Sequence, residues 1–200
     1  MRFKTTIFLA LLATTPLAAC TTAAETVSSI FKNPRSTRVG SVDSSEAAAL
    51  ISQYRRSRGL SAVTVDPTLT RIAAVHSERM AKADKMAHVL PGEGSFQQRL
   101  QAGGFVAAMA AENVAAGQDT LAEVLEAWRK SPGHNANLLL PNVSKIGIAL
   151  AIADDSKYKT YWTLVLGERY EPRPGAVMMN GPQPPGEAQV TIGGAVMGGN

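Results

Sequence analysis

Trp128-Arg129-Lys130-Ser131-Pro132-Gly133-His134-Asn135-Ala136-Asn137 joins a helix-ending aromatic, a Pro-Gly turn and a histidine in one compact unit. Two upstream stretches share its character. Ala87-His88 and Ala111-Glu112-Asn113-Val114-Ala115 each set an ionisable residue among small and apolar neighbours. His88, Glu112 and His134 are too far apart in sequence to share a helix, so a fold that uses them together must bring three segments to one point. Two imidazoles and a carboxylate meeting in a cleft can hold a divalent metal or move protons.

Around these stretches the patterning is helical first and strand-like late. Asp43-Ser44-Ser45-Glu46 reads as a helix start with an acid three residues beyond a capping candidate; that helix runs from about Ser45 to Ser57 and stops at Gly59. Asp66 caps a second helix with Pro67 at its first position, and Leu69, Ile72, Ala73, His76 and Met80 form its buried stripe. A short helix covers Ser95 to Ala102, ended by Gly103-Gly104. Another runs from Asp119 to Lys130, with Leu121, Val124, Leu125 and Trp128 on one face. Ile146 to Ile152 and Tyr161 to Leu166 flank an Asp-Asp-Ser-Lys turn and read as an antiparallel hairpin, with Asn113-Val114-Ala115 as a third strand. The expected class is α+β, helices packed on a small antiparallel sheet.

The ends read differently. Residues 1–19 have the form of a lipoprotein signal peptide: Arg2 and Lys4 at the start, Ile7 to Ala13 as a short apolar centre, then Leu17-Ala18-Ala19. The apolar run is far below the roughly 18 residues that span a bilayer. Leu17-Ala18-Ala19-Cys20 resembles a bacterial lipobox, in which the cysteine is acylated and becomes the mature amino terminus. Cys20 is the single cysteine of the chain, so lipidation leaves neither thiol nor disulfide. Stable anchoring takes more than one acyl chain, each buried methylene contributing about 0.8 kcal/mol. The implied partner is the membrane. Thr21, where an acidic retention signal would stand, favours the outer membrane by resemblance to two-membrane bacteria.

Residues 20–43 read as the lipidated cysteine and a flexible tether, 44–168 as one domain, and 169–200, rich in Pro and Gly, as a disordered tail. The chain holds 20 basic and 16 acidic residues; without Arg2 and Lys4 the balance is 18 to 16, too weak a charge for a nucleic-acid partner. Arg35, Arg38, Arg55, Arg56 and Arg58 read as a solvated face, with anionic headgroups as the alternative contact.

From about Ala47 to Gly167 the chain resembles the CAP superfamily of cysteine-rich secretory, antigen 5 and pathogenesis-related 1 proteins (the SCP domain), in its cysteine-free bacterial branch. The resemblance is carried by His76-Ser77-Glu78-Arg79-Met80-Ala81, Ala87-His88, Arg99-Leu100-Gln101-Ala102-Gly103-Gly104-Phe105, the Glu112 stretch, Trp128 to Asn137, Ile146-Gly147-Ile148-Ala149 and Tyr161-Trp162-Thr163. It implies a three-layer α-β-α sandwich and a cleft lined by two histidines and two glutamates. His88 and Glu112 match the first pair and His134 the second histidine. Ser131 holds the place of the second glutamate, and neither Glu123 nor Glu126 has the matching position. The implied ligands of Zn²⁺ or another divalent cation are His88, Glu112 and His134, with a water as fourth. Binding would require neutral imidazoles, hence a pH above about 6.5.

Single residues have more local readings. His76 is expected as a hydrogen-bonded core histidine, and a buried Glu112 demands a positive or metal partner. Asn113 and Asn137 are expected to fix backbone, Trp128 and Trp162 to fill core, and Met86, Val106 and Met109 to line an apolar groove, with core filling as the alternative for the methionines. Three functions follow from the resemblance. One is a binding module for a lipid or other small ligand. A second is a metal-dependent hydrolase with His88, Glu112 and His134 as catalytic candidates. The third is an envelope adaptor. The sequence has no His-Glu-x-x-His helix and no Gly-x-Ser-x-Gly elbow.

Overall fold

The computed structural model describes residues 35–172 and the backbone of 189–192 and 196–197. The expected signal peptide and Cys20 lie outside these residues. Three long strands carry the fold: β3 (Ala107–Ala116), β4 (Lys145–Ile152) and β5 (Thr160–Arg169). They pair antiparallel in the order β4-β5-β3, with Ile148 opposite Leu164 and Glu112 opposite Val165. On the outer edge of β4 lie β1 (Arg38–Val39), antiparallel, and β2 (Thr64–Val65), parallel. On the outer edge of β3 lie β6 (Gln189–Ile192) and β7 (Val196–Met197), both parallel, with Ile192 in register with Glu112.

Two expectations change here. Arg38–Val39, in the expected tether, is paired strand, and part of the expected disordered tail is β6 and β7. The antiparallel centre is as expected; the parallel strands are short edge additions whose partners are distant in sequence, which local patterning does not reveal.

Side-chain size decides which helices cover which face. Along β4 large Ile146, Ile148 and Leu150 alternate with small Gly147, Ala149 and Ala151, and alternate residues face opposite sides of a sheet. The large side chains, with Trp162, Leu164 and Leu166 of β5 and Ala111 and Ala115 of β3, pack against α1 (Ser44–Arg56), α4 (Leu121–Lys130) and Leu138 of α5 (Pro132–Leu138). The small ones face α2 (Pro67–Ala83) and α3 (Phe96–Ala102), whose Leu69, Ile72, Ala73 and Leu100 fill the opposite core. Contact there is backbone to backbone: a Cβ on Gly147 would lie 2.1 Å from the Leu69 carbonyl carbon and the Thr70 nitrogen. The result is the expected α-β-α sandwich.

The first two helix starts follow the capping chemistry read from the sequence. Asp43 accepts from the Ser45 and Glu46 amides, and Asp66 from those of Thr68 and Leu69. Ser95 with Gln98 and Thr120 with Glu123 form capping boxes. The expected Pro-Gly turn is instead the first turn of α5. Pro132 opens that helix, where its missing N–H costs nothing. Arg55 is not on a solvated face but fully buried. It donates to the carbonyls of Ser61, Leu138, Leu140 and Val143, and burial lowers its pKa.

Candidate functional site: a buried Glu-Arg-His cluster

Glu112 sits in the middle of β3 on the face turned toward α2 and α3, wholly buried. Arg99 of α3 forks onto it, Nη1 donating to Oε2 at 2.7 Å and Nη2 to Oε1 at 3.0 Å. Such bidentate, charge-assisted pairs are the strong ones. His88, in the loop after α2, places Nδ1 2.9 Å from Oε1. An ionised carboxylate only accepts, so that nitrogen carries the hydrogen. Arg99 Nη2 also donates to the His88 carbonyl at 2.9 Å, which fixes the loop. Burial pushes the Glu112 carboxyl up, but the hydrogen bonds from His88 and Arg99, with the charges of His76 and Arg99, outweigh it and hold the group below its ordinary value.

Behind this pair lies a second one. His76 Nε2 is 3.0 Å from the Ala87 carbonyl, which only accepts, so Nε2 carries a hydrogen; Nδ1 is 2.7 Å from Glu93 Oε1. One proton is therefore shared between Nδ1 and the Glu93 carboxyl. His76 Nε2 also lies 3.8 Å from Glu112 Oε1, and Arg99 Nε 3.8 Å from Glu93 Oε1. His76, His88, Glu93, Arg99 and Glu112 thus form one charged cluster inside the α2/α3 layer.

His134 arrives from the other layer, on the first turn of α5. It is fully buried, its Nδ1 2.9 Å from Ser131 Oγ. Ser131, the residue before the helix, therefore holds the histidine. Nε2 is buried and has no hydrogen-bond partner among the described residues. Burial, aided by the nearby charge of His88, lowers the His134 pKa from 6.5 to about 4, so the ring is neutral near pH 7. Asn113, next to Glu112, donates to the His134 carbonyl at 3.1 Å. Asn137 donates to the Glu112 carbonyl at 3.1 Å and to Asn113 Oδ1 at 2.9 Å. Both asparagines fix backbone, as expected, and both tryptophans are core.

The implied divalent metal does not fit this donor set. A metal-bound carboxylate needs a lone pair aimed at an ion about 2.0–2.2 Å away, whereas both Glu112 oxygens face a guanidinium. Among the described residues no group of three His, Cys, Asp or Glu side chains has the geometry to hold an ion. The positive partner demanded by the buried glutamate is Arg99.

A separate cavity of about 400 Å³ lies between α1 and α4, lined by Leu50, Tyr54, Ala122, Leu125, Glu126 and Arg129 among others. Tyr54 links it to α5, donating to Asn135 Oδ1 at 2.7 Å under the Arg129 guanidinium. Of the expected groove residues Met86, Val106 and Met109, two pack against the core. Met86 packs on the Met80 and Tyr161 cluster and Met109 on the opposite core.

Of the residues singled out in the sequence, the structure joins His88 to Glu112 and ties His134 to Ser131; the sequence reading did not single out Arg99, Glu93 or the part played by His76. Arg99 stood inside a stretch that carries the family resemblance, four residues after a clear N-cap serine. Glu93 stood in a Pro-Gly-Glu-Gly turn that gave no hint of burial.

Comparison with known proteins agrees with the fold. The uncharacterized protein YkwD of Bacillus subtilis is 35% identical over 99 residues, 50% of this chain and 38% of that one. The uncharacterized membrane protein YlbC of the same species is 30% identical over 111 residues, 56% of this chain and 31% of that one. The chain thus spans about a third of the length of these curated relatives. An extracellular SCP-domain protein of Bacillus anthracis superposes with a TM-score of 0.55 at 25% identity, over 62% of this chain and 39% of that one. An outer surface protein of Borrelia burgdorferi superposes at 0.56 and 23% identity, over 66% of this chain and all (100%) of that one, a likeness of fold alone. Residues 48–166, which hold every member of the buried cluster, match the CAP family, and the chain belongs to this cysteine-rich secretory protein family.

Proposed function

We propose that the protein is a lipid-anchored CAP-domain lipoprotein of the bacterial envelope that binds a small ligand, a lipid in the first instance, outside the cytoplasm. The carrying observation is the buried Nε2 of His134, without a hydrogen-bond partner among the described residues. An unpaired buried polar atom costs about 1–3 kcal/mol, a cost a ligand's polar group would remove. The cavity between α1 and α4, with Leu50, Ala122 and Leu125 on its wall, offers an acyl chain an apolar surface one hydrogen bond away from α5. The names of two matched proteins (extracellular, membrane) support the compartment, and the Leu17-Ala18-Ala19-Cys20 run supports the anchor. Hydrolysis through a metal-bound water loses its basis, because Arg99 occupies the carboxylate that would hold the ion.

Palmitate is the probe for the test. Full-length protein in detergent should bind it with micromolar affinity. Leu125→Arg, which places a charge on the cavity wall, and His134→Phe should each weaken binding at least about tenfold. No binding by folded wild type refutes the lipid reading and leaves an adaptor. Cells fed labelled palmitate should label the wild type and not Cys20→Ser, which should leave the membrane fraction; a Cys20→Ser protein that stays labelled and membrane-bound refutes the anchor.

A further inference from the structure

We propose that the outer edge of β3 is a strand-docking site shared between copies of this chain: residues 189–197, which cover that edge within one chain, also dock on the β3 edge of a second copy. The docking needs no ligand in the cleft.

β3 pairs with β5 from Ala107 to Ala116 and so holds its place in the sheet without the tail. Its other edge is a row of N–H and C=O groups, which edge strands ordinarily blunt with Lys, Pro or a bulge. Residues 107–116 contain no Lys and no Pro, and the register slips only at the start, between Ala107 and Met109. The one charged residue, Glu112, is spent on Arg99. Such an edge is a template for another strand.

The template has a definite pattern. The Glu112 and Val114 carbonyls accept from Asn137 Nδ2 at 3.1 Å and Trp128 Nε1 at 3.3 Å. β6 pairs from Met109 to Glu112 and β7 at Ala115 and Ala116, so strand pairing brackets these side-chain bonds. Between β6 and β7 the sequence is Gly193-Gly194-Ala195, and from Ala188 to Asn200 it holds no charged residue and no proline. The edge therefore fits two short uncharged runs joined by small residues, a segment that every copy of this chain carries.

Within one chain the cover is held loosely. β6 and β7 are 4 and 2 residues long, and parallel pairing is slightly the weaker kind. The connector is far longer than the crossing it makes. Arg169 at the end of β5 lies opposite Ala107, and β6 starts at Met109, so two strand spacings, about 10 Å, separate them. Residues 171–188 include Pro172, Pro174, Pro182, Pro184 and Pro185. A Pro-rich stretch of that length can extend to roughly 55 Å at ~3.1 Å per residue, whereas a domain of this size is about 35–40 Å across. The same tail thus reaches the β3 edge of a neighbouring copy, which presents the same template.

The test uses full-length protein in excess detergent micelles, wild type beside the double variant Val190→Pro, Thr191→Pro. Consecutive N–H groups face opposite sides of a strand, so one of the two prolines removes a bond to β3. A chain ending at Ala188 is a second variant with a bare edge, and circular dichroism reads the folding of each. A fluorescein-labelled peptide of residues 187–200 should bind both variants with micromolar affinity. Wild type should bind it at least about tenfold more weakly, because its own tail competes from within. The same peptide with both prolines should bind none of them. Differently tagged copies are then mixed and captured through one tag. Wild type should bring down wild type and the proline variant, excess peptide should release them, and two proline variants should not associate. Folded variants that ignore the peptide overturn the proposal, as does equal binding of the proline peptide. So does wild type that captures no second copy, or capture that persists between proline variants. Failure of both variants to fold overturns it too, since the tail would then be part of the core.

Discussion

His134 makes the stability of this domain fall with acid in a defined window. Its ring titrates near 6.5 in an unfolded chain and is held down to about 4 in the fold, first by burial and then by the charge of His88. Between those values the unfolded chain binds more protons than the folded one, so stability drops as pH falls from about 6.5 to about 4; above that window His134 contributes no slope. At 1.36 kcal/mol per pH unit the full shift is worth roughly 3 kcal/mol. At pH 4.5, with water entering as the ring charges, about 2 kcal/mol of that should be felt. For a domain of about 130 residues unfolding with ~2.1 cal/mol/K per residue, 2 kcal/mol is about 7 °C in Tm. Urea and thermal unfolding of wild type and His134→Gln at pH 7.5 and 4.5 isolate the term, because every other titrating group is common to both. Wild type should lose about 2 kcal/mol more than the variant. A His134 imidazole resonance titrating near 6.5 in the folded protein would refute the reasoning, as would equal acid losses in the two proteins.

Three further outcomes follow from packing and charge. Glu112→Gln leaves the buried Arg99 guanidinium with only the longer 3.8 Å contact to Glu93 and should cost about 3 kcal/mol in urea unfolding. Adding Arg99→Met should restore part of that loss, since the pair fails as a unit. Gly147→Ala drives a methyl into the α2 backbone at 2.1 Å and should lower stability by at least about 3 kcal/mol or abolish folding, read by circular dichroism. Arg55→Leu strands four carbonyls and should cost about 3 kcal/mol, with the largest rise in amide exchange confined to residues 138–143.

The sequence made legible whatever depends on neighbours along the chain. Asp43 and Asp66 announced two helices because an N-cap is a contact within three or four residues. The hairpin of β4 and β5 showed in its runs of apolar residues and the turn between them. What stayed hidden rests on contacts across the fold. Arg99 meets Glu112, Arg55 meets carbonyls more than eighty residues away, and β6 meets β3 through pairing that no local pattern encodes. His76 shows the limit most clearly. Its place on an apolar stripe pointed to core, and it is core, yet it stands 3.8 Å from the central carboxylate. Periodicity reports burial but not which charges share it.

Glu112 and Asn113 are consecutive, so their side chains leave the sheet in opposite directions. One ties down the α2/α3 layer through Arg99 and His88, the other the α5 layer through His134 and Asn137. The imidazoles of His88 and His134 therefore ride on different slabs of the molecule, pinned to a single dipeptide. Any sliding of one slab over the sheet must change the gap between the rings, making that gap a mechanical gauge. A ligand spanning both rings would lock the slabs in register, and a force applied to α5 would be felt at His88 through two residues of strand.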